Sequence, residues 1–365
     1  MLPPDCTLTT SCFDLTKFHG KSRSLEESIN NMKTLLEIPC YIVIYADSIC
    51  LPYIKKIRSS YKLDHLTQYI EIEFNELPKY QYVDQVKKNR EVYWPTRDER
   101  TCAENHILQL SKVDLLLKTI NNNPFNTSKF GWIDSSLGSN NLSKICKNYN
   151  NNMLLYVLNN ITDKFHIQIL NVCDKKYKDV SLKREFYERY RWIMCGSFYT
   201  MGSEIGKKII NRINEISIDA ILQGYGHGDE LIFLEILDEF YDDIERSYGD
   251  YYNILNNFIH PTRGFEYIYH NIIKNYQHNS YHKECYDCCK KILNEIETFK
   301  VNINYELYFS ILFSYYLCSY YYKGKDEAKN IANNIIKLVS INPYIKNEYD
   351  KNADFYQNNF NYSLQ

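Results

Sequence analysis

Neither sign of charge is in excess in this sequence: 43 Lys and Arg stand against 45 Asp and Glu, a formal net charge of −2 over 365 residues. A nucleic-acid binder usually carries a basic face, so no nucleic-acid partner is expected. The opening Met1-Leu2-Pro3-Pro4-Asp5 has no basic region followed by an apolar run, so no signal peptide is expected either. The longest apolar stretch, Leu307–Tyr322, is shorter than the ~20 residues a membrane-spanning helix needs and is rich in Tyr and Ser. It predicts a buried helix and no membrane span. The 12 cysteines are scattered from Cys6 to Cys318 without an even framework, which points to reduced thiols in a cytoplasmic compartment. Phosphate-binding signatures are missing as well. Gly224–Gly228 lacks the Lys-Ser/Thr of a Walker loop and the spacing of a dinucleotide fingerprint, and residues 11–22 offer only Gly20.

What is present is a hydrophobic fraction of 44%, enough for a large domain plus a smaller one. The 35 tyrosines, with abundant Asn, Ile and Lys, match AT-rich codon usage of the kind found in some viral and protist genomes, where the compartment would be the host cytoplasm or the virion. Runs such as Asn121–Asn123 and Asn150–Asn152 then serve as loop padding.

Hydrophobic periodicity predicts an alternating opening. Residues 7–13 read as a β-branched strand, Ser24–Leu36 as an amphipathic helix ended by Pro39, and Cys40–Ala46 as a strand covered on both faces. A helix over Ile54–Ser60 and a strand over Thr67–Phe74 complete a β-α-β-α-β start, the mark of a parallel sheet in an α/β domain. A long helix follows over Arg100–Asn121, then a strand over Phe130–Ile133. Further strands are expected at Leu154–Val157, Phe165–Leu170 and Trp192–Tyr199, and helices at Leu182–Arg191, Glu204–Ile216 and Asp229–Tyr241. Beyond residue 262 the pattern becomes helical (His282–Glu297, Tyr305–Tyr322, Asp326–Val339), with Asn342-Pro343 as a stop. The pairing resembles one or two degenerate tetratricopeptide-like units, each spanning ~34 residues. The expected organisation is an α/β domain over 1–262 and a helical, tetratricopeptide-like region over 263–365 that could take a protein partner.

Ligands of open parallel sheets bind beyond the carboxyl ends of the strands. Two acidic residues follow apolar strands directly, Asp47 and Asp134. In Trp132-Ile133-Asp134-Ser135-Ser136 a carboxylate and two hydroxyls offer hard oxygen donors suited to Mg²⁺ or Mn²⁺, although spacing alone favours Asp134 as a cap of the following turn. Gln223-Gly224-Tyr225-Gly226-His227-Gly228-Asp229-Glu230 places His, Asp and Glu in a flexible loop at a helix start. It fits an acceptor site or an ordinary cap equally well. His282-x-x-Cys285-x-x-Cys288-Cys289 lies in one helical stretch with no second ligand pair nearby, so core thiols are expected there in place of zinc. His260-Pro261 is a helix stop.

Several motifs in order resemble the HtrL/YibB family of glycosyltransferase-like proteins. They are Thr9-Thr10-Ser11-Cys12-Phe13-Asp14, Arg23-Ser24-Leu25-Glu26-Glu27, Leu35-Leu36-Glu37-Ile38-Pro39, Tyr45-Ala46-Asp47, Gln109-Leu110-Ser111-Lys112-Val113-Asp114, Asn123-Pro124-Phe125 and Phe130-Gly131-Trp132-Ile133-Asp134. The resemblance covers roughly residues 7–255 and implies a GT-A-like, Rossmann-like domain. It implies transfer of a sugar from a nucleotide-sugar donor, UDP-linked, to a glycan or protein acceptor with Mn²⁺ or Mg²⁺. By position it places Thr10 and Phe13 at the base and ribose with Asp47 nearby, and Lys112 at the diphosphate. Asp134 and His260 fall at the metal, and Asp229 and Glu230 in the catalytic, acceptor-side loop. Ser136 stands where the usual second acidic residue of an Asp-x-Asp motif would be, and a hydroxyl is a weaker metal ligand than a carboxylate. An inactive nucleotide-sugar-binding scaffold that uses the helical tail is the alternative.

Overall fold

The computed structural model describes residues 3–92, 101–137, 151–188, 192–225, 229–232, 234–249, 254–255, 258 and 264–364. Its packing separates two units, one of residues 1–171 and 179–260, the other of residues 172–178 and 261–365.

In the first unit, β1 (Cys6–Cys12) is buried along its whole length, as its lack of charge requires. Helix α1 (Leu25–Leu36) starts where Ser24 Oγ accepts the Glu27 N–H at 3.2 Å, and it buries Ile29, Met32, Leu35 and Leu36. Those positions recur at helical spacing on one face, and burying each such side chain contributes ~1.5–3 kcal/mol. β2 (Tyr41–Ala46), α2 (Leu51–Ser60) and β3 (Thr67–Glu71) follow. Arg58 of α2 is fully buried and holds this start together. Its guanidinium donates to the carbonyls of Leu36 (3.2 Å), Ile38 (2.7 Å), Cys40 (3.3 Å) and Leu63 (3.4 Å), and Nε to Thr67 Oγ1 (2.8 Å). One side chain thus adds donors to the carbonyls of the buried turn between α1 and β2, where the Cys40 N–H also reaches the Ile38 carbonyl.

Helices α3 (Val83–Val92) and α4 (Ala103–Asn122) carry the chain to β4 (Lys129–Ile133). Then come α5 (Asn151–Asn159), β5 (Phe165–Ile169), α6 (Lys183–Tyr187) and β6 (Phe198–Gly202). The unit continues with α7 (Ser203–Leu222), α8 (Asp229–Ile232), α9 (Leu234–Glu239) and β7 (Ile244–Tyr248). The strands form one sheet in the order β3-β2-β1-β4-β6-β5-β7. β3, β2, β1 and β4 are parallel, β6 is antiparallel to both β4 and β5, and β5 pairs parallel with β7. The order 3-2-1-4 is that of a mononucleotide-binding half-sheet, with its switch point between β1 and β4. The α/β class is therefore as the sequence predicts.

The second unit is helical: α10 (Phe265–His278), α11 (His282–Phe299), α12 (Tyr305–Lys323), α13 (Lys325–Ile341), α14 (Pro343–Asp350) and α15 (Ala353–Leu364). Helix α12 packs against α10, α11, α13 and α14, so the apolar stretch beginning at Leu307 is a buried helix. No described helix is long and apolar enough to cross a membrane. Gly324, at φ +97°, makes the turn into α13 in a conformation that side chains disfavour.

Three local expectations are corrected. Leu154–Val157 is helical, within α5: the buried residues are Leu154, Val157 and Leu158, a helical spacing inside an apolar run too short to show its period. The strand expected at Trp192–Tyr199 starts later, as β6. The stretch expected as a helix over Asp229–Tyr241 is helical at Asp229–Ile232 and Leu234–Glu239 and ends before Tyr241, which opens a 3₁₀ turn. Asn342-Pro343 ends α13 at Ile341, as predicted, with Asn342 extended, and Pro343 also starts the next helix. Pro343 occupies the first turn of α14, whose N-cap Asn342 accepts the Tyr344 and Ile345 N–H groups at 3.0 and 3.2 Å. β7 and α3 carried too little periodicity to be predicted; α10 was missed although Tyr269, Ile272, Ile273 and Tyr276 recur at helical spacing.

Candidate active site

A cleft of about 320 Å³ opens at the carboxyl ends of β1 and β4, at the switch point of the sheet. That volume lies within the range of small-molecule sites. Ser11, Cys12 and Phe13 form its wall at the end of β1, and Trp132, Asp134, Ser135 and Ser136 at the end of β4. Helix α4 closes one side with Asn105, Leu108, Gln109 and Lys112, and the loop before α1 brings Ser22 and Arg23. Asp229, the first residue of α8, reaches in from far along the chain.

The centre of the cleft is an ionic triad. Lys112 Nζ lies 2.9 Å from Asp134 Oδ1 and 2.8 Å from Asp229 Oδ2, and donates to the Gly196 carbonyl at 3.3 Å. Asp134 is oriented from both sides. Its Oδ1 accepts the Trp132 indole N–H at 2.7 Å, and its backbone N–H donates to the Ser197 carbonyl at 2.8 Å. Lys112 and Asp229 are largely buried, with 10% and 6% of their side chains exposed, while Asp134 shows 25% to solvent. Buried charges persist where they are paired, which explains why an ammonium is set between two carboxylates. Beneath them, Tyr199 of β6 pairs in register with Trp132. Burial pushes its hydroxyl well above the usual tyrosine range, so it stays neutral.

Gly196 allows the close approach of α8. A Cβ there would lie 2.5 Å from Asp229 Oδ2. A side chain at 196 and the present place of the Asp229 carboxylate are incompatible.

The predicted site residues divide clearly. Phe13, Lys112, Asp134, Ser136 and Asp229 meet in the cleft. Thr10 is fully buried in β1 and is not among the lining residues; its hydroxyl has no hydrogen-bond partner. Asp47 is also buried away from the cleft lining. Its carboxylate accepts the Asp14 N–H at 2.7 Å and the Cys50 N–H at 2.8 Å, latching the loop after β1 to the start of α2. The Glu230 side chain and all of His260, like Gly226–Gly228 with His227, lie outside the described residues.

Arg23, Asn31, Asn105, Gln109 and Ser197 also line the cleft and were not singled out from the sequence. A signal existed for α4: Asn105, Gln109 and Lys112 form a polar stripe at helical spacing on a helix otherwise mostly apolar. No local signal existed for Arg23 or Ser197, which loops bring to the cleft.

The donor chemistry suits a hard divalent cation, since two carboxylates and the hydroxyls of Ser135 and Ser136 share one cleft. Lys112 already takes one oxygen of each carboxylate, so a metal would share them with an ammonium. Ser22 Oγ, at the rim, is buried without a hydrogen-bond partner and is available to a ligand.

Among solved structures, the chain resembles mouse xyloside xylosyltransferase 1 in its apo form, at 10% identity and a TM-score of 0.36, covering 66% of this chain and 84% of that one. It also resembles the galactosyltransferase LgtC in complex with donor and acceptor sugar analogues, at 6% identity and a TM-score of 0.34, covering 66% and 73%. No curated protein matches the chain. Residues 4–259 match the family model described as "Bacterial protein of unknown function (HtrL_YibB)". That match spans well over half of the sequence, and the chain belongs to the HtrL/YibB family.

Proposed function

We propose that this protein is a glycosyltransferase that moves a sugar from a UDP-linked donor to a glycan or protein acceptor, assisted by Mn²⁺ or Mg²⁺. One observation carries the reading: Lys112, Asp134 and Asp229 converge in a cleft at the carboxyl ends of β1 and β4, where open α/β sheets hold nucleotides. In this reading the nucleotide enters along the end of β1, against Phe13 and the hydroxyls of Ser11 and Ser22. Asp134, with Ser136 and His260, would hold the metal, which when bound neutralises charge on the departing diphosphate.

The cations divide the work. Lys112 is committed to two carboxylates and acts chiefly by holding them in place. Arg23, whose side chain is 44% exposed at the cleft, is the better placed of the two to meet a diphosphate oxygen directly. On the acceptor side, Asp229 and Glu230 open α8, where a helix N-terminus favours ionised carboxylates. That suits orientation of an acceptor hydroxyl as well as removal of its proton.

The test is a thermal-shift screen of nucleotide sugars with and without Mn²⁺. A true donor at a hundred times its Kd stabilises the native state by ~2.7 kcal/mol. Transfer, donor hydrolysis and melting temperature are then measured together for Asp229→Ala and Glu230→Ala. Transfer lost with hydrolysis retained supports acceptor-side roles. Stability lost with transfer retained in both variants removes them. Ser136 in place of a second carboxylate favours the alternative of an inactive donor-binding scaffold, which predicts a donor shift with neither hydrolysis nor transfer.

A further inference from the structure

The helical unit contains a side-chain cluster that the cleft does not use. Cys285 and Cys289 stand four residues apart on α11, so they leave the same face one turn apart. Cys318 comes from α12, which packs against α11. The three Sγ atoms lie within 4.8 Å of one another, all are free thiols, and none is more than 1% exposed. The sequence predicts core thiols here because the second element of the site is invisible in the spacing around His282. Tertiary structure supplies it from the next helix.

Buried thiols can simply pack as small apolar groups. Two features go beyond that. Three sulfurs from two helices converge on one point, which packing alone does not require. The ammonium of Lys274, on α10, acts on both Cys285 and Cys289. Lys274 Nζ donates to Ser314 Oγ at 3.2 Å, one turn before Cys318 on α12. An apolar thiol cluster has no use for an ammonium beside it. A divalent ion held by three thiolates carries a single net negative charge, which one ammonium balances.

We infer that Cys285, Cys289 and Cys318 form a binding site for a thiophilic divalent cation of the zinc class, clamping α11 to α12. Soft thiolates select such ions over Mg²⁺ or Ca²⁺. On binding, each S–H bond breaks, its proton leaves to solvent, and a metal–sulfur bond forms with no change of oxidation state. His282 lies one turn before Cys285 on the same helix face, its ring stacked on Tyr321 at 4.7 Å. A four-coordinate shell would take its fourth donor from His282 or from water. The site is independent of sugar transfer.

The experiment titrates the reduced full-length protein with Co²⁺ alone, then with Zn²⁺, and reads thiolate-to-metal charge-transfer absorption, stoichiometry and thermal midpoint. One equivalent should produce the absorption of a three-thiolate site, Zn²⁺ should displace it, and the midpoint should rise. Cys318→Ser and Cys285→Ser should each weaken binding at least ~100-fold, the upper end of what loss of a mere supporting group costs. Cys102→Ser, at a half-buried thiol in the other unit, should bind as the parent does. A parent protein that shows no charge-transfer band at one equivalent overturns the proposal, whatever the variants do. So does a band that survives loss of Cys318 in a protein whose circular dichroism is unchanged.

Discussion

Lys112 and Asp229 are joined across 117 positions of sequence by a hydrogen bond of 2.8 Å between Nζ and Oδ2. The bond ties α4 to the start of α8 in the floor of the cleft. Removing Lys112 leaves Asp229 and Asp134 facing each other without a cation. Breaking a buried pair from one side costs about 3–5 kcal/mol, and the exposed edge of Asp134 should bring the loss to the lower end. Lys112→Ala should therefore lower the urea midpoint at an unchanged m-value and weaken donor binding more than acceptor binding. An unaltered midpoint would mean that water replaces the ammonium without cost.

Gly196→Ala should separate the site from the fold. The added methyl would lie 2.5 Å from Asp229 Oδ2, and a side-chain carboxylate can move away where backbone could not. Transfer should fall by tenfold or more, as ~1.4 kcal/mol of lost transition-state stabilisation would give, while the thermal midpoint changes little. Equal activity in parent and variant would show that the present position of Asp229 is not needed.

Asp134→Asn keeps an oxygen that can accept the Trp132 indole N–H, so the loop should stay in place. What it removes is the charge. Donor hydrolysis and transfer in the presence of Mn²⁺ should vanish while circular dichroism is retained. Full activity with Mn²⁺ would move the metal site elsewhere.

Arg58→Met should be among the most destabilising substitutions in the first unit. It removes a donor from four buried carbonyls; those of Ile38 and Leu63 keep the Cys40 and Leu66 N–H groups, and each carbonyl left without a partner costs ~1–3 kcal/mol. Chemical denaturation should show the loss, and a deficit under ~1 kcal/mol would mean that water satisfies those carbonyls instead.

Glu295 provides a pH test in the second unit. Burial raises its carboxyl above the usual glutamate range, opposed in part by Lys291 and by the Tyr269 hydroxyl that donates to it at 3.2 Å. A raised folded-state pKa means that the native protein holds its proton more tightly than the unfolded chain does. The associated stability is present below the ordinary glutamate pKa and is lost as pH rises through the shifted one. Glu295→Gln removes that dependence, so its melting temperature should gain on the parent at pH 7.5 and not at pH 4. A constant difference at both pH values would show that the carboxyl titrates alike in both states.

Short-range pattern was sufficient for the parts of this protein that short-range forces build. The strands β1, β2 and β4 were legible as apolar or β-branched runs of strand length, α1 by its apolar stripe, and the buried α12 by its length and its tyrosines. Asp134 was legible because an apolar strand running into a carboxylate is a local event, and Asp229 because it opens a helix after glycines. Leu154–Val157 was misread because four apolar residues have no period to measure. Asp47, alike in sequence to Asp134, instead became a latch for two backbone N–H groups. Strand order decided this: Asp134 ends β4 at the switch point beside β1, whereas Asp47 ends β2 and turns to the neighbouring loops. The lysine between two aspartates, the arginine at the rim and the third sulfur beside Cys285 and Cys289 all arise between elements distant in sequence. Their positions depend on which helix packs on which strand, a balance struck by burial over the whole unit and written in no local spacing.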